Sequence, residues 1–220
     1  MSTIRLENLT KFYPTPGGRR YVFRQLNYTF PTEGNVGILG FNGAGKSTLM
    51  RLIGGTDFPN GGRVHTDCRI SWPIGLSSGF QGSLTGRENV KFVSRIYGDD
   101  PAARSRRIDY VADFAEIGDY FDMPVSSYSS GMRSRLSFGL SMAFEFDIYL
   151  VDEVIAVGDK RFKEKSQAAF RLKQEKARLI TVSHDLSLLK SMCNVGIVLN
   201  AGEFQSFNNI DDAIAAYQQL

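Results

Sequence analysis

The most constraining feature of the sequence is a glycine-rich segment, residues 40–47 (GFNGAGKS), which matches G-x-x-x-x-G-K-[ST] at every fixed position. It follows an apolar run, residues 36–39, and precedes a helical pattern with Leu49, Leu52 and Ile53. Glycines let such a turn wrap a polyphosphate, so that backbone N–H groups and the helix N-terminus face the negative charge. The pattern predicts a strand, a phosphate-binding loop and a helix; the alternative is a glycine-rich turn that matches by chance.

Two side chains of this loop have specific predicted roles. Lys46 is expected to reach the β- and γ-phosphates and to act in catalysis, and the Ser47 hydroxyl is expected to ligate Mg²⁺. The nucleotide-binding residues predicted here are Gly40, Asn42, Gly43, Ala44, Gly45, Lys46, Ser47 and Thr48.

A pair of carboxylates follows another apolar run, residues 148–151. Phosphoryl transfer needs one acidic group to hold Mg²⁺ and another to orient the attacking water. We expect Asp152 to hold the metal through a water molecule, and Glu153 to act as general base or to position the water. The alternative is that this acidic pair caps the following helix.

Apolar runs with helical patterns between them predict the fold class. The runs are residues 36–39, 148–151, 179–182 and 195–199. Short runs of this kind are typical of strands buried on both faces, so we expect an α/β fold with a mainly parallel sheet.

Two parts of the chain depart from this alternation. The first 30 residues mix apolar and polar positions around a turn at residues 14–18, which predicts antiparallel strands at one edge. From about residue 84 to 144 strand signals vanish, and Pro101 opens a helical pattern, which predicts a helical subdomain inserted into the core. A last helix is expected from near Asn209.

Composition excludes several classes of function. With 26 Lys and Arg against 23 Asp and Glu, the net charge of +3 is too small for strong sequence-independent binding to nucleic acid. Cys68 and Cys193 show no CxxC spacing, so we expect neither a disulfide framework nor a zinc site, and a reducing, cytoplasmic setting fits best. No apolar run is long enough to cross a bilayer, and the first residues do not resemble a signal peptide.

The order of these residues resembles the ATP-binding subunits of ABC transporters over nearly the whole chain. Tyr13 is similar in position to the aromatic that stacks on adenine, and residues 128–133 (YSSGMR) to the signature motif. Residues 156–159 (AVGD) lie where the dimer-contacting loop belongs, and His184 matches the switch histidine. Each has a structural alternative, because a tyrosine or histidine is often a packing residue and a serine pair can be only a helix cap.

The resemblance implies a P-loop NTPase (RecA-like) core in a single ATP-binding domain of residues 1–220. In it, residues 1–83 and 145–220 form the α/β core with its antiparallel β part, and residues from about 84 to 144 form the helical signature subdomain.

The signature and the glutamine loop depart from the family pattern. Ser130 stands where the family has its first signature glycine, and Met132 where it has glutamine. Gly75 or Leu76 occupies the expected position of the loop glutamine, and Gln81 comes several residues later.

Residues 72–74, 79–89, 128–133 and 156–159 resemble the polysaccharide-export branch, and most of all the capsular polysaccharide export ATPases of Gram-negative bacteria.

This resemblance implies that ATP and Mg²⁺ bind between two copies of the chain. Ser129, Ser130 and Gly131 of one copy would contact ATP held by the other, and hydrolysis would use Glu153 and His184. The homodimer would open after hydrolysis.

The implied membrane partner is an integral permease, with Trp72 and Phe80 as the candidate docking region and simple packing of the subdomain as the alternative. The subunit would lie on the cytoplasmic face of the bacterial inner membrane, and the permease rather than this chain would contact the polysaccharide. Competing functions are a non-transport ABC ATPase that remodels nucleic acid or ribosomes, and a P-loop kinase; the absence of a second cassette and the adjacent acidic pair argue against them.

Overall fold

The computed structural model describes residues 3–74, 80–152, 159–200 and 202–220. In chain order their regular elements are β1 (Ile4–Thr15), β2 (Gly18–Thr29), β3 (Val36–Gly40), α1 (Lys46–Ile53), β4 (Gly61–Thr66), α2 (Gly86–Ile96), α3 (Pro101–Ala115), 3₁₀ turns Gly118–Asp122 and Val125–Ser127, α4 (Ser130–Met142), β5 (Ile148–Asp152), α5 (Lys160–Gln174), β6 (Arg178–Val182), α6 (Leu186–Met192), β7 (Val195–Asn200), β8 (Glu203–Phe207) and α7 (Ile210–Gln218).

These elements form two compact units. The described residues of the first unit are 3–73, 146–152, 176–200 and 202–220. Those of the second unit are 74, 80–145 and 159–175.

A five-stranded sheet with the order β5-β6-β3-β7-β8 is the centre of the first unit. The strands β5, β6, β3 and β7 are parallel, and β8 runs antiparallel to β7 at the edge. Ile38, Leu150 and Ile197 on three of these strands are fully buried. The four apolar runs are therefore the buried parallel strands that the sequence predicts.

The antiparallel strands predicted near the N-terminus are also confirmed, and they form a sheet of their own. The strand β1 pairs on one side with β2, across a turn at residues 16–17, and on the other with β4. Both edges of β1 are therefore hydrogen-bonded, and β1 is the central strand of a three-stranded sheet. The sequence did not predict β4, whose residues are at most half-buried.

The second unit is helical, and aromatic side chains fill its core. The ring of Phe114 on α3 lies 6.0 Å from that of Phe138 on α4 and 5.6 Å from that of Phe162 on α5. Asp100 caps α3 by accepting a hydrogen bond from the Ala103 N–H at 2.7 Å, so this helix begins at Pro101 as expected.

The helix α5 is where the structure differs from the expected division of the chain. The sequence placed residues 145–220 in the α/β core, whereas the structure groups α5 with the second unit. Phe162 buries its ring against Phe114, and Lys165 donates a hydrogen bond to Glu116 at 2.7 Å. These contacts bring α5 to α3. An amphipathic pattern predicts that a helix has a buried face, but it does not predict which element packs against that face.

Across the described ranges, no helix combines the length and the apolar character required to span a membrane.

Candidate functional site

The loop between β3 and α1 depends on two glycines. Gly45 has a φ of 105°, and a Cβ atom there would lie 2.5 Å from Cγ1 of Val22. At Gly40, with a φ of 152°, a Cβ atom would lie 2.4 Å from the carbonyl oxygen of Leu199. Both distances are far below normal contact, so glycine permits the close approach of the loop to β2 and β7.

Lys46 lies inside this turn. Its side chain is buried, and its Nζ donates hydrogen bonds to the carbonyl oxygens of Gly40 at 2.6 Å and Phe41 at 3.2 Å. The N-cap residue of α1, Gly45, provides no side-chain hydrogen bond to the first turn of the helix. A helix N-terminus without a side-chain cap, next to a lysine, is suited to binding an anion.

An open cleft of about 450 Å³ faces the loop. Its lining consists of Tyr13, Thr15, Arg20, Val22, Asn42, Gly43, Gly45, Lys46, Ser47, Thr48, Asp152, Val182 and His184. Most of the predicted nucleotide and metal residues therefore meet at one place. Gly40 contributes a backbone carbonyl to Lys46, and Ala44 lies within the loop.

Parallel strand pairing explains why distant residues converge here. Asp152 ends β5 and pairs in register with Val182, the last residue of β6. His184 follows two residues later, while β3 lies on the other side of β6 and leads into the loop. The carboxyl ends of neighbouring parallel strands lie along one edge of the sheet, which is the usual ligand position in an open α/β fold.

The donors in the cleft suit Mg²⁺. The Ser47 hydroxyl and the Asp152 carboxylate line the same space. Mg²⁺ prefers oxygen ligands and is commonly held by one or two protein groups together with phosphate oxygens and water. Among the residues described, no three His, Cys, Asp or Glu side chains form a metal-binding group.

Tyr13 lines the cleft, and its hydroxyl group is held by two hydrogen bonds. Its hydroxyl donates to Oδ2 of Asp57 at 3.3 Å and accepts from Nη2 of Arg51 at 3.4 Å. Nζ of the buried Lys11 lies 5.2 Å from the centre of the Tyr13 ring and 2.7 Å from Oδ1 of Asp57. Burial raises the pKa of the Asp57 carboxyl group. The hydrogen bonds from Lys11 and the Phe58 N–H, together with the positive charge of Lys11, lower this pKa by more, so it lies below its usual value.

The segment predicted as the signature lies in the second unit, at the start of α4. Ser129 is the N-cap residue, and its hydroxyl accepts a hydrogen bond from the Met132 N–H at 3.2 Å. Ser129 and Ser130 are exposed, and Gly131 is half-buried. Tyr128, the residue before this turn, is buried.

Other predicted residues fall outside the described ranges or in other parts of the structure. Glu153 and residues 156–158 lie outside the described residues, and Asp159 caps α5. Trp72 is half-buried, with its ring 5.4 Å from that of Phe146 in the first unit. Phe80 is half-buried and belongs to the second unit.

The sequence analysis missed four residues that line the cleft: Thr15, Arg20 and Val22 on the hairpin, and Val182 at the end of β6. The register of the hairpin was the available signal. A two-residue turn at 16–17 places Arg20 directly opposite Tyr13. Directly opposed residues of an antiparallel pair share one face of the sheet, so Arg20 belongs beside any ligand that Tyr13 contacts.

This chain is similar to known ATP-binding proteins of transport systems. Residues 23–156 match the family model described as ABC transporter. The polysialic acid transport ATP-binding protein KpsT of Escherichia coli is 55% identical over 217 residues, which cover 98% of this chain and 99% of that protein. The capsule polysaccharide export ATP-binding protein CtrD of Neisseria meningitidis serogroup B is 44% identical, with 99% of each chain covered.

The fold is shared with a solved structure of lower sequence identity. That structure is described as a dimeric post-hydrolysis state of the ATP-binding cassette MJ0796 bound to ADP and Pi. It is 22% identical, has a TM-score of 0.72, and the match covers 93% of this chain and 98% of that one.

Proposed function

Because this chain belongs to the ABC transporter family, we propose that it is the ATP-hydrolysing subunit of a bacterial exporter of capsular polysaccharide. The observation that carries this proposal is the cleft where the phosphate-binding loop meets Asp152 and His184. End-to-end similarity to a polysialic acid transport protein and to a capsule polysaccharide export protein supports the polysaccharide branch. It does not favour an ATPase that remodels nucleic acid or ribosomes.

ATP binding uses the loop and the hairpin together. Tyr13 stacks on the adenine, while the backbone of the loop and the N-terminus of α1 bind the phosphates. Lys46 contacts the β- and γ-phosphates, exchanging loop carbonyls for phosphate oxygens. The remaining binding residues are Gly40, Asn42, Gly43, Ala44, Gly45, Ser47 and Thr48.

Ser47 and Asp152 would hold Mg²⁺, Asp152 through a water molecule. The ion, when bound, neutralises charge on the β- and γ-phosphate oxygens. The hydroxyl and carboxylate that line the cleft fit this ion, because both are oxygen donors.

Hydrolysis is a direct attack by water. Glu153 orients a water molecule and accepts its proton, and the water oxygen bonds to the γ-phosphorus. The bond from that phosphorus to the β,γ-bridging oxygen breaks, so ADP and phosphate are the products. His184 contacts the γ-phosphate and stabilises the charge that develops there.

A second copy of the chain completes each site. The exposed start of α4, with Ser129, Ser130 and Gly131, offers hydroxyl and N–H donors to the γ-phosphate held by the other copy. A symmetric dimer then contains two equivalent sites. ATP closes this dimer, and hydrolysis opens it.

ATP binding and hydrolysis drive transport of the polysaccharide through an integral membrane permease. The subunit lies peripherally on the cytoplasmic face of the inner membrane, and the permease handles the sugar chain. Trp72 and Phe80, which are half-buried, are the proposed docking residues.

Phosphate release from ATP without an added acceptor tests the ATPase function and separates it from a kinase. Lys46→Ala should lower the rate by about 100-fold or more, because a charge-stabilising donor at the reacting phosphate is lost. Lys91→Ala, at an exposed position of α2, is the matched control and should keep the wild-type rate. Equal rates for wild type and Lys46→Ala would contradict the proposal.

In cells, Lys46→Ala should cause capsular polysaccharide to accumulate inside the cell.

The docking residues are tested by Trp72→Asp. A carboxylate in an apolar contact should reduce co-purification of the permease by about 10-fold, since burying an unpaired charge is costly. ATP binding by the isolated subunit should be unchanged. Undiminished capture of the permease would remove Trp72 from the interface.

A further inference from the structure

The guanidinium of Arg20 lies beside the phosphate-binding loop. A Cβ atom built on Gly43 would lie 3.9 Å from Nη2 of Arg20, and both residues line the cleft. The Arg20 side chain is exposed, and among the described residues it has no hydrogen-bond or ion-pair partner. A guanidinium that no carboxylate of the described ranges neutralises is therefore available to a ligand of this cleft.

The neighbouring residue, Arg19, is also an arginine, but it does not line the cleft as Arg20 does. Arg19, one residue earlier on β2, has its guanidinium carbon 4.5 Å from the centre of the Phe12 ring. Arg19 does not line the cleft, because successive residues of a strand point to opposite faces. The hairpin thus places one arginine over an aromatic ring and the other at the loop.

Charge in the cleft favours a phosphate as the ligand of Arg20. The fixed charges among its described lining residues are Arg20, Lys46 and Asp152. Asp152 would be compensated by Mg²⁺, which leaves two cations facing a triphosphate. Arginine binds phosphate oxygens through two parallel N–H donors, in a geometry that a lysine does not reproduce.

We infer that Arg20 is a second phosphate-binding cation of the nucleotide site, additional to Lys46. This inference rests on the proposed function, because it takes the ligand to be ATP. With Tyr13 opposite it in the hairpin, one short element would contact both the base and the phosphates of the same nucleotide.

The test measures the Kd of the purified full-length chain for ATP with Mg²⁺, at about 50 mM and about 500 mM salt. The variants are Arg20→Gln, Arg20→Lys and, as the control with the same charge change on the other face, Arg19→Gln. Arg20→Gln should raise the Kd about 10-fold at low salt, in keeping with a lost charge-assisted hydrogen bond. That ratio should shrink to about threefold at high salt, since salt screens an exposed ionic contact.

The control variants make the result specific. Arg20→Lys should recover part of the lost affinity, and Arg19→Gln should bind within about twofold of wild type. All variants should unfold at the wild-type temperature, because both side chains are exposed. A Kd unchanged in Arg20→Gln, or a loss of affinity that does not depend on salt, would overturn the inference. If wild type itself does not bind ATP, the proposed function fails as well, so the two failures are distinguishable.

Discussion

The phosphate-binding loop and the signature segment are both turns at a helix N-terminus. They differ in how many features of a ligand-binding site each has within this one chain. The loop holds a buried lysine, two glycines in close contact with neighbouring strands, and a cleft in front of it. The start of α4 exposes Ser129 and Ser130 and is already capped by its own serine.

This difference bears on how the protein works. A loop that is organised within one chain can bind nucleotide alone, whereas an exposed, self-capped turn gains a function only when a ligand is brought to it. Under the proposed function, the loop would bind the nucleotide, and the signature segment would respond to nucleotide that another copy has bound.

The largest effect that separates binding from turnover is expected for Glu153→Gln. Loss of the carboxylate should lower hydrolysis by about 1,000-fold, because the amide does not accept the proton of the attacking water. ATP affinity should be retained, and the ATP-bound dimer should accumulate. Light scattering of this variant with ATP and Mg²⁺ is the measurement. A protein that stays monomeric, alone and with its permease, would contradict closure by ATP.

A negative charge in the signature segment should produce the next largest effect. Gly131→Glu should lower hydrolysis by about 100-fold, since a carboxylate would face the γ-phosphate across the dimer. Among the described residues, and apart from the backbone of its own helix, a Cβ atom at Gly131 would meet only Oγ of Ser129, at 3.8 Å, so the fold should tolerate the change. ATP binding by the monomer should persist in calorimetry. Loss of that binding would mean that the segment acts within its own chain.

The smallest effect is expected on the free energy of unfolding, when Gly45 of the loop and Gly131 of the signature segment are each replaced by alanine. Gly45→Ala should destabilise the protein by about 1–3 kcal/mol, because φ is 105° and the new methyl group would lie 2.5 Å from Val22. Gly131→Ala adds a methyl group at ordinary contact distance, 3.8 Å from Oγ of Ser129, and should change stability by less than about 0.5 kcal/mol. Urea unfolding of both variants gives the comparison. Equal losses would show that the loop is not the more constrained of the two turns.

Much of the fold could be predicted from the sequence. The apolar runs became β3, β5, β6 and β7, and the helices beginning at Lys46, Pro101 and Ile210 were expected. These elements carry strong local patterns of burial and capping. The strands β4 and β8 were missed because most of their residues are exposed or half-buried, which leaves little hydrophobic signal.

The sequence by itself determined the phosphate-binding loop, because its glycines, Lys46 and Ser47 act through backbone geometry within eight consecutive residues. Only the tertiary structure decided which distant groups surround that loop. Parallel pairing of β5 with β6 brings Asp152 and His184 there, and the hairpin register brings Arg20. A local pattern fixes the conformation of a turn, but the neighbours of that turn depend on strand pairing across the whole chain, which no short segment encodes.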